Sequence, residues 1–412
     1  MKALCSIAAG SVLAVAGVFL GPSHATAASG PVQTGAPSVA PGHVGATPYS
    51  PQHLLPQGSI SGLAPGSAHY LYADEGISPG HDGAADNIEV FRLENGNATN
   101  VQVYATTANQ QADFYGANSL AYVPPNKTHG ACLIQADGSG KVDSYTIDPS
   151  AHTISAQASS VMSAFYNDPA DVKIAPGGAM AIVTVAPSGT YLSGLEAYTI
   201  GSGCVLSAAG SYSSSSVYFV SSALMGDRIL VTADYLNNQI DTFGISPSGA
   251  FTLEGVTASA LLYPDGVASD GRDVFTGNAY DYYPHALTQG GLVRNGQVSY
   301  FHSSPAKDGR GQNSAAVWYD GQFGNLVLGE QSTASLGIFG AGGHMTLRQH
   351  VTLAFNKAQP TDFAQLGTTL LVDGNVSGDI EACQLDAKGS SGCATVAVLS
   401  NPTGYSDGIA VD

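Results

Sequence analysis

One short phrase occurs twice in this chain. Residues 263–270 read YPDGVASD, and residues 405–412 read YSDGIAVD. In each copy an Asp-Gly turn precedes alternating apolar residues, which predicts the start of a β-strand. A strand needs a hydrogen-bonded neighbour, so the second copy must pair with a strand that lies far from it in the sequence.

A longer pattern also repeats along the chain, which indicates a modular fold. Each copy contains a strand of alternating apolar and polar residues that follows a turn. A more apolar strand precedes this alternating strand, and a shorter strand follows it. Another short element, which in most copies begins with Asp or Asn, stands before the apolar strand. The alternating strand is predicted at residues 87–93, 140–147, 194–200, 238–245, 296–301, 335–339 and 378–385.

A unit of four antiparallel strands repeated in this way predicts an all-β, seven-bladed β-propeller. A pair of β-sandwiches or a solenoid fits the regular four-strand units less well, and no long amphipathic helical pattern competes with them. The first blade has its second strand near His69 but no convincing inner strand before it. We therefore expect the strand at 405–412 to pair into blade one and close the ring.

The chain divides into three predicted regions. Residues 1–27 have a charged start at Lys2, an apolar run and an Ala25-Thr-Ala27 cleavage site, which together predict a secretory signal peptide. Residues 28–66 are rich in Pro and Gly and form a predicted leader without regular order. Residues 67–412 hold the propeller, and we expect the protein to be secreted or periplasmic.

Cysteines and charge restrict the environment and the partners. If Cys5 leaves with the signal peptide, four cysteines remain, and an exported chain permits two disulfides. Cys383 and Cys393 flank a Gly/Ser-rich turn that suits a hairpin disulfide, which leaves Cys132 with Cys204; four free thiols are the alternative. The net charge of −18 argues against nucleic-acid and membrane partners. We expect a monomer that binds a small molecule.

Polar residues stand at the starts of the predicted first strands and at the ends of the second strands. In a propeller these positions open on one face around the central channel, where several carboxylates could hold Ca²⁺. The predicted cation ligands are Asp171, Asp265, Asp362 and Asp407. The candidate catalytic residues are Glu75, His81, Asp234, Asn278, His285 and Glu330. The alternative is that Asp and Asn here are ordinary turn residues.

The blade motifs carry a resemblance to a known family. The pattern YLYADE at Tyr70 with NIEVFRL at Asn87, together with residues 229–234 and 239–243, resembles the lactonase-like seven-bladed propellers with YVTN-like repeats. That family includes phosphogluconolactonases and carboxymuconate cyclases. Glu75-Gly76 and residues 264–266 resemble parts of the metal site of regucalcin-type propellers, but that site lacks its other motifs here.

The resemblance implies an exported lactonase-like enzyme, a hydrolase or a cyclase/isomerase, that acts on a small lactone or sugar acid at the channel mouth. A bound divalent cation would polarise the carbonyl group. Since so acidic a mouth is a poor host for phosphate, a neutral or aromatic lactone is the expected substrate. The alternative is a non-catalytic secreted propeller that binds a ligand, a glycan or a protein and has at most a structural cation site.

Overall fold

The computed structural model describes most of the predicted propeller. The described residues are 68–76, 87–106, 119–165, 168–186, 192–258, 263–278, 289–294, 297–302, 316–330, 334–340, 346–354, 360–374, 377–400 and 405–412. The predicted signal peptide and leader lie outside these ranges. No helix within the described ranges is long and apolar enough to cross a membrane.

Across these ranges the strands pair antiparallel into seven sheets of four strands each. The first strands of the sheets are β4 (Leu120–Val123), β8 (Asp168–Ile174), β12 (Phe219–Leu224), β16 (Pro264–Ser269), β20 (Ala316–Asp320), β24 (Pro360–Leu366) and β28 (Tyr405–Val411). The second strands are β1 (His69–Gly76), β5 (Cys132–Asp137), β9 (Met180–Ala186), β13 (Ile229–Asp234), β17 (Val274–Asn278), β21 (Asn325–Glu330) and β25 (Thr369–Gly374).

The outer half of each sheet is built from the next two strands of the chain. The third strands are β2 (Asn87–Glu94), β6 (Lys141–Ile147), β10 (Ser193–Ile200), β14 (Gln239–Ile245), β18 (Gln289–Arg294), β22 (Ser335–Gly340) and β26 (Asp379–Asp386). The fourth strands are β3 (Asn97–Ala105), β7 (Ile154–Met162), β11 (Leu206–Ser214), β15 (Phe251–Ala258), β19 (Gln297–His302), β23 (Thr346–Thr352) and β27 (Gly389–Val398). A 3-10 turn at Ser202–Cys204 precedes β11.

Burial along the strands follows their place in the sheet. The second strands β5, β9, β21 and β25 are buried at every position, whereas the fourth strands β3 and β7 consist mostly of exposed and partly buried residues. An uninterrupted apolar strand is stable only when both faces of its sheet are covered. Each sheet is therefore packed between two others.

The hydrophobic core is divided among the contacts between neighbouring sheets. Phe219 and Phe243 of the β12–β15 sheet, for example, pack with Ile182 and Leu195 of the β8–β11 sheet. Equivalent apolar clusters join each other pair of adjacent sheets, including the β24–β27 sheet and the sheet that contains β1. The first strands contact one another in the order β28, β4, β8, β12, β16, β20, β24 and again β28. The predicted all-β propeller with four-stranded antiparallel blades is confirmed.

The repeated phrase that ends the sequence lies in β28. This strand pairs antiparallel with β1, with Leu71 opposite Val411 and Tyr72 opposite Ala410. The sheet order is therefore β28-β1-β2-β3, which combines one strand from residues 405–411 with three strands from residues 69–105.

One strand assignment made from the sequence was wrong. Residues 296–301 were assigned to a third strand, but residues 297–302 form the fourth strand β19, and the third strand is β18. The sequence of β18, QGGLVR, has two glycines and little apolar alternation, so it gives a weak strand signal.

Both cysteine pairs lie at disulfide distance. The sulfur atoms of Cys132 and Cys204 are 2.00 Å apart and connect β5 to the 3-10 turn of the next sheet. Those of Cys383 and Cys393 are 1.98 Å apart and connect the facing strands β26 and β27. The first pair thus links two sheets, and the second stays within one.

The two disulfides should differ in their effect on stability because the loops they close differ in length. The sequence separations are 72 and 10 residues. In the chain-entropy model, removal of the first pair by Cys132→Ala with Cys204→Ala should lower the free energy of unfolding by about 4 kcal/mol, and removal of the second by about 3 kcal/mol. Urea unfolding followed by circular dichroism measures both. An equal or reversed order would contradict the prediction.

Candidate functional site

The strand register brings the predicted site positions to the same end of the strands, where the first strand of a sheet starts and the second strand ends. Asp362 at the start of β24 lies opposite Asp373 near the end of β25. Phe219 at the start of β12 likewise lies opposite Asp234, and Pro264 lies opposite Asn278. The start of each of these first strands therefore lies beside the end of the second strand.

Two of the predicted cation ligands accept hydrogen bonds from the next first strand. Asp171 accepts from the backbone N–H and the hydroxyl of Ser222, each at 2.8 Å, and forms an ion pair with Lys173. Asp362 accepts from the backbone N–H of Ile409 at 2.9 Å and from that of Phe363 at 2.7 Å. These carboxylates link neighbouring blades at the level of the first strands.

The other two predicted cation ligands are Asp265 and Asp407. Asp265 is buried, its Oδ1 has no hydrogen-bond partner among the described residues, and burial raises its pKa well above the ordinary value. Asp407 lies in β28, but its side chain is outside the described part of the structure. No group of three or more His, Cys, Asp or Glu residues in the described ranges is arranged to hold a metal ion. The four-residue cation site stays a prediction.

The candidate catalytic residues are separated by the fold. Glu75 accepts hydrogen bonds from Asn87 Nδ2 at 2.7 Å and from Ser400 Oγ at 3.2 Å. Asp234 accepts from the backbone N–H of Tyr218 at 3.0 Å and from Asn237 Nδ2 at 2.7 Å. Both carboxylates are buried and each binds residues of its own sheet or of a connection beside it.

Glu330 belongs to a separate polar cluster in the β20–β23 sheet. Its Oε2 accepts from Ser335 Oγ at 2.7 Å and lies 2.5 Å from His350 Nε2. Ser335 Oγ is also 3.2 Å from the same nitrogen atom, so Glu330 and Ser335 share one nitrogen of the ring. This geometry differs from a catalytic triad, in which the acid and the nucleophile bind opposite ring nitrogens.

Three of the candidate catalytic side chains lie outside the described part of the structure. His81 and His285 lie outside the described residues, and Asn278 is described only through its backbone at the end of β17. As catalytic residues, these three and Glu75, Asp234 and Glu330 stay predictions.

The sequence reasoning missed a set of buried acids on the third strands. Glu196 on β10 accepts from the backbone N–H of Ala164 at 2.7 Å, and Ala164 lies two residues after the end of β7. Glu89 on β2 accepts in the same way from the backbone N–H of Ser400, two residues after the end of β27. Each acid thus forms a hydrogen bond with the segment that follows the last strand of the preceding sheet. The signal was present in the sequence, since both occupy the third position of the repeated pattern (NIE and GLE).

A cavity of about 190 Å³ lies among the first strands β8, β12, β16, β20 and β24, and we call it the channel cavity. Its wall carries a mixture of cationic, acidic, hydroxyl and aromatic side chains. The polar and aromatic side chains on the wall include Lys173, Ser269, Trp318, Thr361 and Asp362. Pockets for drug-sized ligands measure about 300–1,000 Å³, so this cavity suits a smaller molecule.

Charge inside the channel cavity is concentrated at Lys173 and Asp362. Burial raises the pKa of Asp362 well above its usual value, and the neighbouring carboxylate of Asp373 adds to this effect. The charge of Lys173 and the backbone donors oppose the shift. A carboxyl group and an ammonium group that line the same cavity can transfer a proton and stabilise a developing negative charge.

An aromatic surface completes the channel cavity. Trp318, the one tryptophan of the chain, lines it and donates from Nε1 to Gln365 Oε1 at 3.0 Å, which fixes the ring. Neither Lys173 nor Trp318 is among the site residues predicted from the sequence. Lys173 stands two residues after Asp171 in the phrase ADVKIA, so alternation along a first strand could have identified it.

These observations define a β-propeller whose first strands surround a cavity of metabolite size. Solved structures of 6-phosphogluconolactonase-like propeller proteins share its fold, which confirms at that level the resemblance seen in the blade motifs. No protein-family model matches the chain, and no curated protein matches its sequence.

Three of these structures illustrate the likeness. A protein from Lactobacillus plantarum is 15% identical, with a TM-score of 0.65 over 84% of this chain and 99% of its own. A candidate 6-phosphogluconolactonase from Bacteroides fragilis is 14% identical, with a TM-score of 0.62 over 84% and 98%. The periplasmic gluconolactonase PpgL of Pseudomonas aeruginosa is 16% identical, with a TM-score of 0.59 over 81% and 100%. At these identities the likeness shows the fold alone.

The contact between Glu75 and Glu89 should make stability depend on pH. Burial and the hydrogen bond with Glu75 raise the pKa of Glu89 from its ordinary value of 4.5 to about 8. Between these two values the folded protein holds a proton that the unfolded chain has lost, so stability should fall as the pH rises towards 8. Glu89→Gln, which keeps a neutral group there, should reduce the fall in melting temperature between pH 5 and pH 9.

The matched control is Glu196→Gln, which changes the equivalent acid of another sheet and leaves the Glu75–Glu89 contact in place. It should retain the wild-type pH dependence. If the melting temperature of Glu89→Gln falls between pH 5 and pH 9 by as much as that of the wild type, the pH dependence does not come from the contact between Glu75 and Glu89.

Proposed function

We propose that this protein is an exported lactonase-like propeller that acts on a small lactone or sugar-acid-type molecule in its central channel. The observation that carries the proposal is the channel cavity, in which Lys173, Asp362 and Trp318 line one small space. The shared fold with lactonase-like propellers supports it only as an analogy, because one fold hosts many activities. The two cysteine pairs support an oxidising compartment.

The chemistry of such a site follows from its side chains. In lactone hydrolysis, water attacks the acyl carbon, the bond between this carbon and the ring oxygen breaks, and the ring oxygen takes a proton. The ammonium group of Lys173 would donate a hydrogen bond to the carbonyl oxygen as negative charge develops there, and Asp362 would move the proton. Trp318 offers a flat apolar surface to one side of the ring.

The proposal includes the ring itself. We infer that each four-stranded sheet is one blade of a single seven-bladed ring, which β28 closes by pairing with β1. The support is the unbroken order of contacts among the first strands and the apolar cluster between the β24–β27 sheet and the sheet of β1. A closed ring keeps the wall of the channel cavity rigid. The protein in this proposal is a monomer with a small-molecule ligand and no nucleic-acid or membrane partner.

One observation favours a second function, that of a non-catalytic exported propeller that binds a ligand, a glycan or a protein. Most of the predicted catalytic and cation-binding carboxylates accept hydrogen bonds from backbone N–H groups or neighbouring side chains, as Asp171, Glu75 and Asp234 do. Such contacts give each of them a structural role that requires no reaction.

A panel of aldonolactones and aromatic lactones tests the enzyme proposal, with hydrolysis followed as acid release with and without a chelator. Lys173→Met should lower kcat/KM by about 10²–10³-fold, as the loss of an oxyanion donor does. Asp362→Asn should lower it by about 10²–10⁴-fold. Lys388→Met, which removes an exposed lysine in the β26–β27 turn, is the matched control and should retain wild-type activity.

The variant Glu330→Gln tests whether the reaction takes place in the channel cavity or at the acids that end the second strands. If Glu330→Gln abolishes hydrolysis while Lys173→Met does not, the reaction occurs outside the channel cavity. If the wild type hydrolyses no lactone of the panel but binds one, the non-catalytic function replaces the enzyme proposal. Circular dichroism of every variant shows that it is folded.

A further inference from the structure

The charge balance of the channel cavity is the starting point for a prediction of specificity. Lys173 is the one positively charged residue that lines the cavity in the described part of the chain. Its side chain is 26% exposed, whereas that of Asp171, with which it forms an ion pair, is fully buried. A ligand in the cavity can therefore contact the ammonium group of Lys173, while the carboxylate of Asp171 that pairs with it stays buried.

Asp171 is fixed in this place by neighbouring strands. Its Oδ2 accepts from both the backbone N–H and the hydroxyl of Ser222, each at 2.8 Å, and its Oδ1 pairs with Lys173. Ser222 in turn receives a hydrogen bond of 3.0 Å from Thr184 Oγ1 on β9. A carboxylate with both oxygens engaged in this way cannot turn from Lys173 without losing buried hydrogen bonds.

The pairing decides how much charge Lys173 can offer to a ligand. Asp171 and Lys173 together carry no net charge, and the one acidic residue among the described residues that line the wall is Asp362. A phosphate group has a charge of about −2 at neutral pH and would enter this cavity without a free counter-charge. Transfer of an unpaired anion out of water is strongly unfavourable. The net charge of −18 on the chain adds repulsion at longer range.

We propose that Asp171 is the specificity-determining residue of the channel cavity: it cancels the charge of Lys173, so that the cavity accepts uncharged rings and rejects molecules with a phosphate or a free carboxylate. This inference rests on the proposed function, since it names the substrate class of the same cavity. It also assigns Asp171 a role other than cation binding.

The same charge balance affects the product. Hydrolysis of a neutral lactone releases a hydroxy acid, which is ionised at neutral pH because its carboxyl pKa lies near 4. The cavity that accepts the neutral ring then repels the anion formed from it. Product inhibition should be weak, and the Lys173 ammonium group still donates hydrogen bonds to the neutral carbonyl.

The test measures binding without turnover, by isothermal titration calorimetry. The probes are gluconolactam, an uncharged ring that is not hydrolysed as a lactone, and 6-phosphogluconate. The wild type should bind the lactam at least 10-fold more tightly. Asp171→Asn should tighten the binding of 6-phosphogluconate at least 10-fold, and the double variant Asp171→Asn with Lys173→Met should lose this gain. Lys388→Met is the control for removal of a lysine charge outside the cavity.

Several outcomes would overturn the inference. A wild type that binds 6-phosphogluconate as tightly as the lactam contradicts it, and this measurement needs no variant to fold. A folded Asp171→Asn protein with an unchanged preference contradicts it as well. Failure of the enzyme proposal is a separate result, since a protein that hydrolyses no lactone can still show the predicted preference in binding.

Discussion

The burial of apolar side chains between neighbouring sheets is the interaction on which the rest of this structure depends. A second strand such as Met180–Ala186 is buried at every position, so it needs cover on both faces of its sheet. Each sheet obtains that cover from the sheets before and after it, as when Phe219 and Phe243 pack with Leu195. The channel cavity follows from this packing, because its wall consists of first strands whose positions depend on the packing of their sheets against one another.

Buried carboxylates form a second layer of this construction. Asp171, Asp362, Glu89 and Glu196 each accept a backbone N–H group from another strand or from a connection between sheets. Such donors lie outside the regular ladders of their sheets, and a buried donor without a partner is costly. A short acidic side chain can reach them from the adjoining strand. Acidic residues in this fold therefore need a structural explanation before a catalytic one.

The strand pattern was readable from the sequence because it depends on local periodicity. The third strands at 87–94 and 379–386 alternate clearly and were predicted almost to the residue. The assignment failed at 289–294, where two glycines weaken the pattern and the next strand has the stronger alternation. The cysteine pairing was also accessible, because Cys383 and Cys393 flank a hairpin turn and one other pair remained.

The sequence by itself determined the strand periodicity and the four-strand repeat, since both follow from the alternation of apolar residues and from turn residues. Only the tertiary structure decided which polar side chains share a space. Lys173 and Asp362 are 189 positions apart (362 − 173) and line one cavity because β8 and β24 both contribute to its wall. Glu75, Asp234 and Glu330 each accept a hydrogen bond from the residue opposite on the third strand, namely Asn87, Gln239 and Ser335. Their further contacts with Ser400, Tyr218 and His350 come from other segments, which no local pattern records.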